Sequence, residues 1–157
     1  CGAGLPTGYL SGERIVNLAK VPPVFWLIAS LALLWNLAGL FSFWYHLTVS
    51  PEVVASWPEA QQQIFAAMPR WLFVPFAIAT LGGLVGSIGL LLRRRWAVPV
   101  LALSLLAIFV QFAGNYLSTP LWSLTGMRGA LFPLWIALVG LFLWWYARRS
   151  AARGWLR

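Results

Sequence analysis

Acid is what this sequence has least of: Glu13, Glu52 and Glu59 are its only carboxylate side chains in 157 residues, against eleven lysines and arginines. That scarcity leaves no paired carboxylates for general acid and base work. Cysteine is nearly absent too. The single Cys1 permits no internal disulfide, and the redox compartment is not legible from cysteine usage. Histidine occurs once, as His46, with no second histidine, cysteine or acid at ligand spacing, which argues against a metal. An axial ligand to a haem or chlorin would need only one histidine, but a lone histidine beside Tyr45 at the end of an apolar run reads first as a wetted helix terminus. No glycine-rich phosphate loop and no nucleophile with its base is present. Catalysis, a cofactor and a bound metal are therefore not expected.

What is there is apolar. With 61% hydrophobic and 9% charged residues, a chain this short has too little polar surface to cover itself in water, so lipid must solvate much of it. Eleven tryptophans fit the same reading, because the amphipathic indole ring favours the bilayer interface. The net charge of +8 resembles a nucleic-acid footprint only in size. The basic residues flank apolar runs and do not interleave with aromatics on one surface, so no nucleic-acid partner is expected. Cys1-Gly2 would suit a lipid-modified cysteine left by signal cleavage; a cloning-derived leader or a mis-set start gives the same appearance.

Four stretches, 21–51, 71–92, 96–127 and 129–147, contain no Asp, Glu, Lys or Arg. Each exceeds or approaches the roughly 20 residues that cross about 30 Å of hydrocarbon. Trimmed at turn residues, they predict spans at 23–46, 71–92, 97–117 and 130–147, in an all-α integral membrane four-helix bundle. Residues 1–20 form an N-terminal tail, and 21–157 a single transmembrane domain. With no charge inside these spans, an ion-coupled pump or proton relay lacks its usual groups. Orientation follows from the basic residues in the connections. Arg14, Lys20, Arg93, Arg94, Arg95, Arg148, Arg149, Arg153 and Arg157 fall on one side, and only Arg70 and Arg128 on the other. Nine against two predicts both termini in the cytoplasm.

The connection 47–70 is the one sizeable polar segment. Ser50-Pro51-Glu52 has the order of an N-cap, a first-turn proline and a first-turn acid. Pro58 interrupts the apolar spacing of Val53, Trp57, Ile64, Phe65 and Met68, so two short helices are expected, lying on the outer surface or acting as a lid over the bundle mouth. Arg93-Arg94-Arg95-Trp96 has room only for a tight turn, which makes the second and third spans antiparallel neighbours. An internal repeat is also visible. Asn36-Leu37-Ala38-Gly39 matches Gln111-Phe112-Ala113-Gly114, and Pro75, Ile78, Ala79 and Gly82 are spaced like Pro133, Ile136, Ala137 and Gly140. Such a duplicated hairpin would relate its halves by an axis along the membrane normal, not by inversion.

The polar residues within the spans are few. Asn36 lies near the middle of the first, and Gln111 and Asn115 sit one turn apart on the third. Amides in hydrocarbon need partners, so two readings follow: hydrogen bonds between the first and third spans, or a polar pocket of Asn36, His46, Gln111 and Asn115 open to the outside. Gly82 and Gly86 form a small-xxx-small pair that lets another backbone approach, within the bundle or as a docking seam. Ser87 and Ser104 are expected to bond to their own helices.

Pro23-Val24-Phe25-Trp26, Leu33-Leu34-Trp35-Asn36-Leu37, Ser50-Pro51-Glu52, and the stretch from Gly82-Gly83 to Arg93-Arg94-Arg95-Trp96-Ala97-Val98-Pro99 carry a resemblance. Over roughly residues 20–147 the chain resembles a group of small bacterial four-helix inner-membrane proteins, some labelled sugar transporters. The resemblance implies a four-span bacterial membrane protein and confers no mechanism; residues 1–12 fall outside it. Two functions are expected from the whole. The first is a non-enzymatic module in contact with membrane lipid, either an accessory subunit of a membrane-protein partner or a homo-oligomer. The second is a transporter or binder of small neutral, sugar-like solutes that uses the amide cluster.

Overall fold

The structure is a computed structural model that describes residues 21–157. Cys1, Glu13, Arg14 and Lys20, with the readings made of them, lie outside the described residues. Six α-helices follow in order: α1 Pro23–Thr48, α2 Pro51–Ala55, α3 Glu59–Ala67, α4 Phe73–Leu91, α5 Ala97–Ser118 and α6 Leu121–Ala152, with a 3-10 turn, Arg70–Leu72, leading into α4. Four helical stretches, Pro23–Thr48, Arg70–Leu91, Ala97–Ser118 and Leu121–Ala152, are long and apolar enough to cross a membrane. Proline at its first position gives α1 a preset φ where a backbone N–H has no partner anyway. Its 26 residues run ~39 Å at 1.5 Å each, more than the hydrocarbon requires.

The first three spans keep the expected limits to within two residues, but the fourth does not. The stretch 130–147 is the middle of a 32-residue helix that starts at Leu121, after Pro120, and runs through Arg148 and Arg149 to Ala152. Charge ended the apolar run without ending the helix, because arginine is a good helix former. Gly126, at φ 53°, breaks this helix near its start, and a Cβ added there would meet open space. The Pro-Gly spacing shared by α4 and α6 has different settings: Pro75 is in the first turn of α4, whereas Pro133 lies inside α6 beyond the Gly126 break.

Packing is the reverse of a water-soluble bundle. The buried residues are mostly small: Ala29 and Ala32 of α1, Ala79, Thr80, Gly83, Gly86, Ser87 and Gly89 of α4, Ala97, Ser104, Ala107 and Gly114 of α5, Ala147 and Ser150 of α6. The exposed ones are large, among them Leu27, Leu34, Phe41, Val74, Leu106, Phe109, Phe132 and Trp135. Water would drive those side chains inward, whereas lipid does not, and close backbone approach becomes the main source of helix association. The α4–α5 hairpin is the centre of the bundle, with α1 packed on α4 and α6 on α5.

The bundle has two unlike ends. At the end where α1 begins and α6 finishes, Phe25 stacks on Tyr146 at 6.1 Å and meets Trp155 edge-on at 6.0 Å, over a core of Ala29, Leu90, Ala97, Leu101, Ala147 and Leu156. The seven described arginines of the larger basic set all belong to this rim, and Arg70 and Arg128 belong to the opposite end. There Ser50 accepts from the Val53 N–H as the expected N-cap of α2, and Pro58 separates α2 from α3 as expected. The Gln62 amide donates to the carbonyls of Ala55 and Trp57, fixing the corner, and α3 reaches across to α6.

Candidate functional site

Asn36 sits half-way along α1, where its side chain faces α4. Its Nδ2 donates to the Ala32 carbonyl, one turn back, at 2.8 Å and to Ser87 Oγ at 3.0 Å. Ser87 in turn donates to the Gly83 carbonyl at 2.8 Å, so the hydroxyl is satisfied both ways. The Oδ1 lodges against Gly83, where a Cβ would collide with the carboxamide. Gly83 is thus the recess, and Ser87 the partner, that make a buried amide tolerable.

The next seam is built the same way. Ser104 of α5 donates across to the Ala79 carbonyl of α4 at 2.6 Å, with Gly82 against its Cβ and Gly86 against Leu101. The small-xxx-small pair therefore faces α5 inside the chain. Asn36, Gly83, Ser104, Ile108 and Gly140, drawn from all four spanning helices, line a cavity of about 20 Å³. That volume holds about one water molecule.

The other three expected residues lie elsewhere. Gln111, 7% exposed, belongs to the α4-facing side of α5, two turns beyond Ser104, and its Oε1 has no hydrogen-bond partner among the described residues. Asn115 is half-buried one turn further, where its backbone carbonyl accepts from both the N–H and the hydroxyl of Thr119. Neither lines the cavity around Asn36. The expected hydrogen bonds between the first and third spans are not formed among the described residues, because Asn36 turns to α4.

Comparison with protein-family models, curated proteins and solved structures finds no match to this chain.

His46 is at the connection end, in the last turn of α1, whereas Asn36 is at its middle. Its Nδ1 lies 2.7 Å from the Ser42 carbonyl, which can only accept, so Nδ1 carries the proton. Around the imidazole stand Tyr45 at 6.0 Å, Phe76 at 5.9 Å, Phe65 at 6.3 Å and Trp57 at 6.4 Å between ring centroids, and Trp57 meets Phe65 edge-on at 5.5 Å. This cluster ties the α2–α3 connection to α1 and α4. Among the described residues no group of three His, Cys, Asp or Glu could hold a metal ion.

Sequence reasoning missed Gly83, Ser87 and Ser104 as the residues that complete the polar interior. The two serines were assigned to their own helices, yet Ser87 also receives Asn36 and Ser104 bonds across the seam. A signal was present: Gly83 and Ser87 are four apart on one face, with Gly82 and Gly86 on the next, so two adjacent faces of α4 admit close neighbours.

Proposed function

We propose that this chain is a non-enzymatic membrane module, an accessory subunit or a self-associating bundle, that acts by packing against other transmembrane helices. The observation that carries the reading is the division of labour in the bundle. The interior is closed by small residues and internal hydrogen bonds, leaving room for about one water, while α1 and α6 turn long apolar faces outward. Orientation is part of the proposal. Seven arginines on the rim of Phe25 and Tyr146, against Arg70 and Arg128 at the other end, favour both termini in the cytoplasm, and the resemblance favours a bacterial inner membrane.

A second reading, a binder or transporter of small neutral solutes, draws on the same amides. Asn36 and Ser104 do share a cavity, which supports it, but that cavity is an order of magnitude below the roughly 300 Å³ of a small-molecule pocket. The reading then needs the bundle to open.

Cross-linking and native mass measurement of the protein in mild detergent test the module. Dimers, higher oligomers or a stoichiometric membrane partner are expected. A monomer without a partner, whose thermal stability rises with a neutral sugar in a way that requires Asn36, would replace the first reading with the second.

A further inference from the structure

We propose that the basic rim carries a binding site for a phosphate group, filled by the headgroup of an anionic phospholipid, in the cleft formed by Leu92, Arg93, Arg94 and Arg157. This site is separate from the amide interior and does not depend on whether the bundle self-associates.

The cleft, about 230 Å³, is built by two helix ends that stop in the same way. At the end of α4, the Arg93 N–H donates to the Leu90 carbonyl and the Arg94 N–H to Gly89, with Arg93 at φ 56°. At the end of α6, the Gly154 N–H donates to Ala151 and the Trp155 N–H to Ser150, with Gly154 at φ 72°. Both are Schellman endings with a left-handed residue. The strands that leave them then pair. The Arg95 N–H donates to the Arg157 carbonyl at 2.8 Å, and the Arg157 N–H to the Arg93 carbonyl at 2.6 Å. Leu156, between them, is 1% exposed and anchors the tail in the core.

This frame separates the cleft arginines from the others on the rim. Arg148, Arg149 and Arg153 lie over the rings of Trp144, Trp145 and Trp155 at 5.0, 5.3 and 4.9 Å. Arg93 is held by its Nε, which donates to the Trp155 carbonyl at 2.8 Å. That bond uses one of five guanidinium N–H groups and leaves the terminal ones for a planar, bidentate oxyanion. Arg94 and Arg157 line the same space. The acidic side chains among the described residues, Glu52 and Glu59, are on the connection at the far end.

The neighbourhood favours a lipid as the source of the phosphate. Leu81, Val85 and Ile88 of α4 and its C-cap Leu92 recur at spacings of four, three and four, and all are exposed. They form an apolar track leading from the cleft along the span, where an acyl chain would lie. Trp96, two residues after Arg94, is also exposed, with its ring edge against Gly89, and indoles favour the level of the headgroups.

Native mass spectrometry of the full chain in detergent tests this, with phosphatidylglycerol compared to phosphatidylcholine in about 0.5 M volatile salt, where diffuse attraction is screened within a few ångströms. Phosphatidylglycerol is expected to bind at least tenfold more tightly. Arg94→Gln, whose side chain makes no hydrogen bond among the described residues, should weaken it about fivefold, with Arg93→Lys in addition weakening it further. Arg148→Gln with Arg149→Gln, on the same rim outside the cleft, should change it by less than about twofold. Glycerol phosphate supplies the second arm: failure to displace the lipid at millimolar concentration assigns the phosphate to lipid, and displacement assigns the same cleft to a soluble phosphate. Equal binding of the two lipids, or an equal loss in the Arg148 and Arg149 variant, would overturn the site.

Discussion

Gly83→Ala is the substitution on which the account of the interior depends most. A methyl group at this position would collide with the Asn36 carboxamide and come within 3.4 Å of Ser104 Oγ. The amide has to swing away, and it then loses the Nδ2 bond to Ser87, a contact typically worth about 0.6 to 1.7 kcal/mol between membrane helices. Residual overpacking between α1 and α4 adds about 1 kcal/mol or more. The alanine gains about 1 kcal/mol in helix propensity, so the expected net loss is roughly 1 to 2 kcal/mol. Gly39→Ala provides the control, because its added methyl meets only Thr80 Cγ2 at an ordinary 3.7 Å and should be neutral or stabilising. Unfolding in mixed micelles with increasing dodecyl sulfate, followed by circular dichroism, reads both. The decisive measurement is the cycle with Asn36→Ala, which removes the group that the methyl strikes. Asn36→Ala alone should cost about 1 kcal/mol, leaving Ser87 bonded to Gly83, and the double variant should be less destabilised than the sum by about 1 kcal/mol. Strict additivity, or a Gly83→Ala as harmless as Gly39→Ala, would refute the placement of Asn36.

Leu156→Ala should release the tail from the rim at a cost of about 2 to 3 kcal/mol, visible as loss of hydrogen-exchange protection at Arg95 and Arg157 while the spans stay protected. Gly154→Ala meets no atom within 4 Å, so its expected cost of about 1 to 2 kcal/mol is backbone strain alone, measurable in the same micelle titration. His46→Phe should keep the ring cluster and leave protease resistance of the connection within about twofold, whereas His46→Ala should expose the Ser56-Trp57 corner to cleavage several-fold faster.

The spans were legible because charge is unambiguous in an apolar chain: stretches without it, trimmed at turn residues, fell on α1, α4 and α5 to within two residues. Local chemistry was legible as well, in the Ser50 cap, the Pro58 break and the tight turn at Arg93. What could not be read was rotation. A helix facing lipid on one side and small residues on the other has no polar stripe, so nothing in the sequence says which way Asn36 points. Its partner lay on α4, and the amides of α5 took no part. The fourth helix was misjudged for the converse reason: the limits of hydrophobicity were taken as those of the helix. The tail was overlooked although Gly154-Trp155-Leu156 has the order of a helix stop followed by an apolar anchor.

Arg93 connects the α4 helix stop to the tail and the cleft. A left-handed residue at a helix stop is ordinarily glycine, and an arginine there gives up about 1 to 2 kcal/mol of backbone energy. The α6 stop, built to the same pattern, does use glycine. A glycine at 93 would make the turn but could not reach the Trp155 carbonyl, so the tail would be held by its backbone pairing, by Leu156 and by the Arg95 Nε bond to the Leu156 carbonyl. The side chain therefore offsets the strain of its own backbone by locking the rim, and in doing so it holds its guanidinium at the cleft mouth. A rigid basic edge is the consequence. That rigidity distinguishes a cleft able to select one phosphate group from a rim that merely attracts an anionic surface, and it follows from two left-handed backbone positions and their hydrogen bonds more than from the number of arginines.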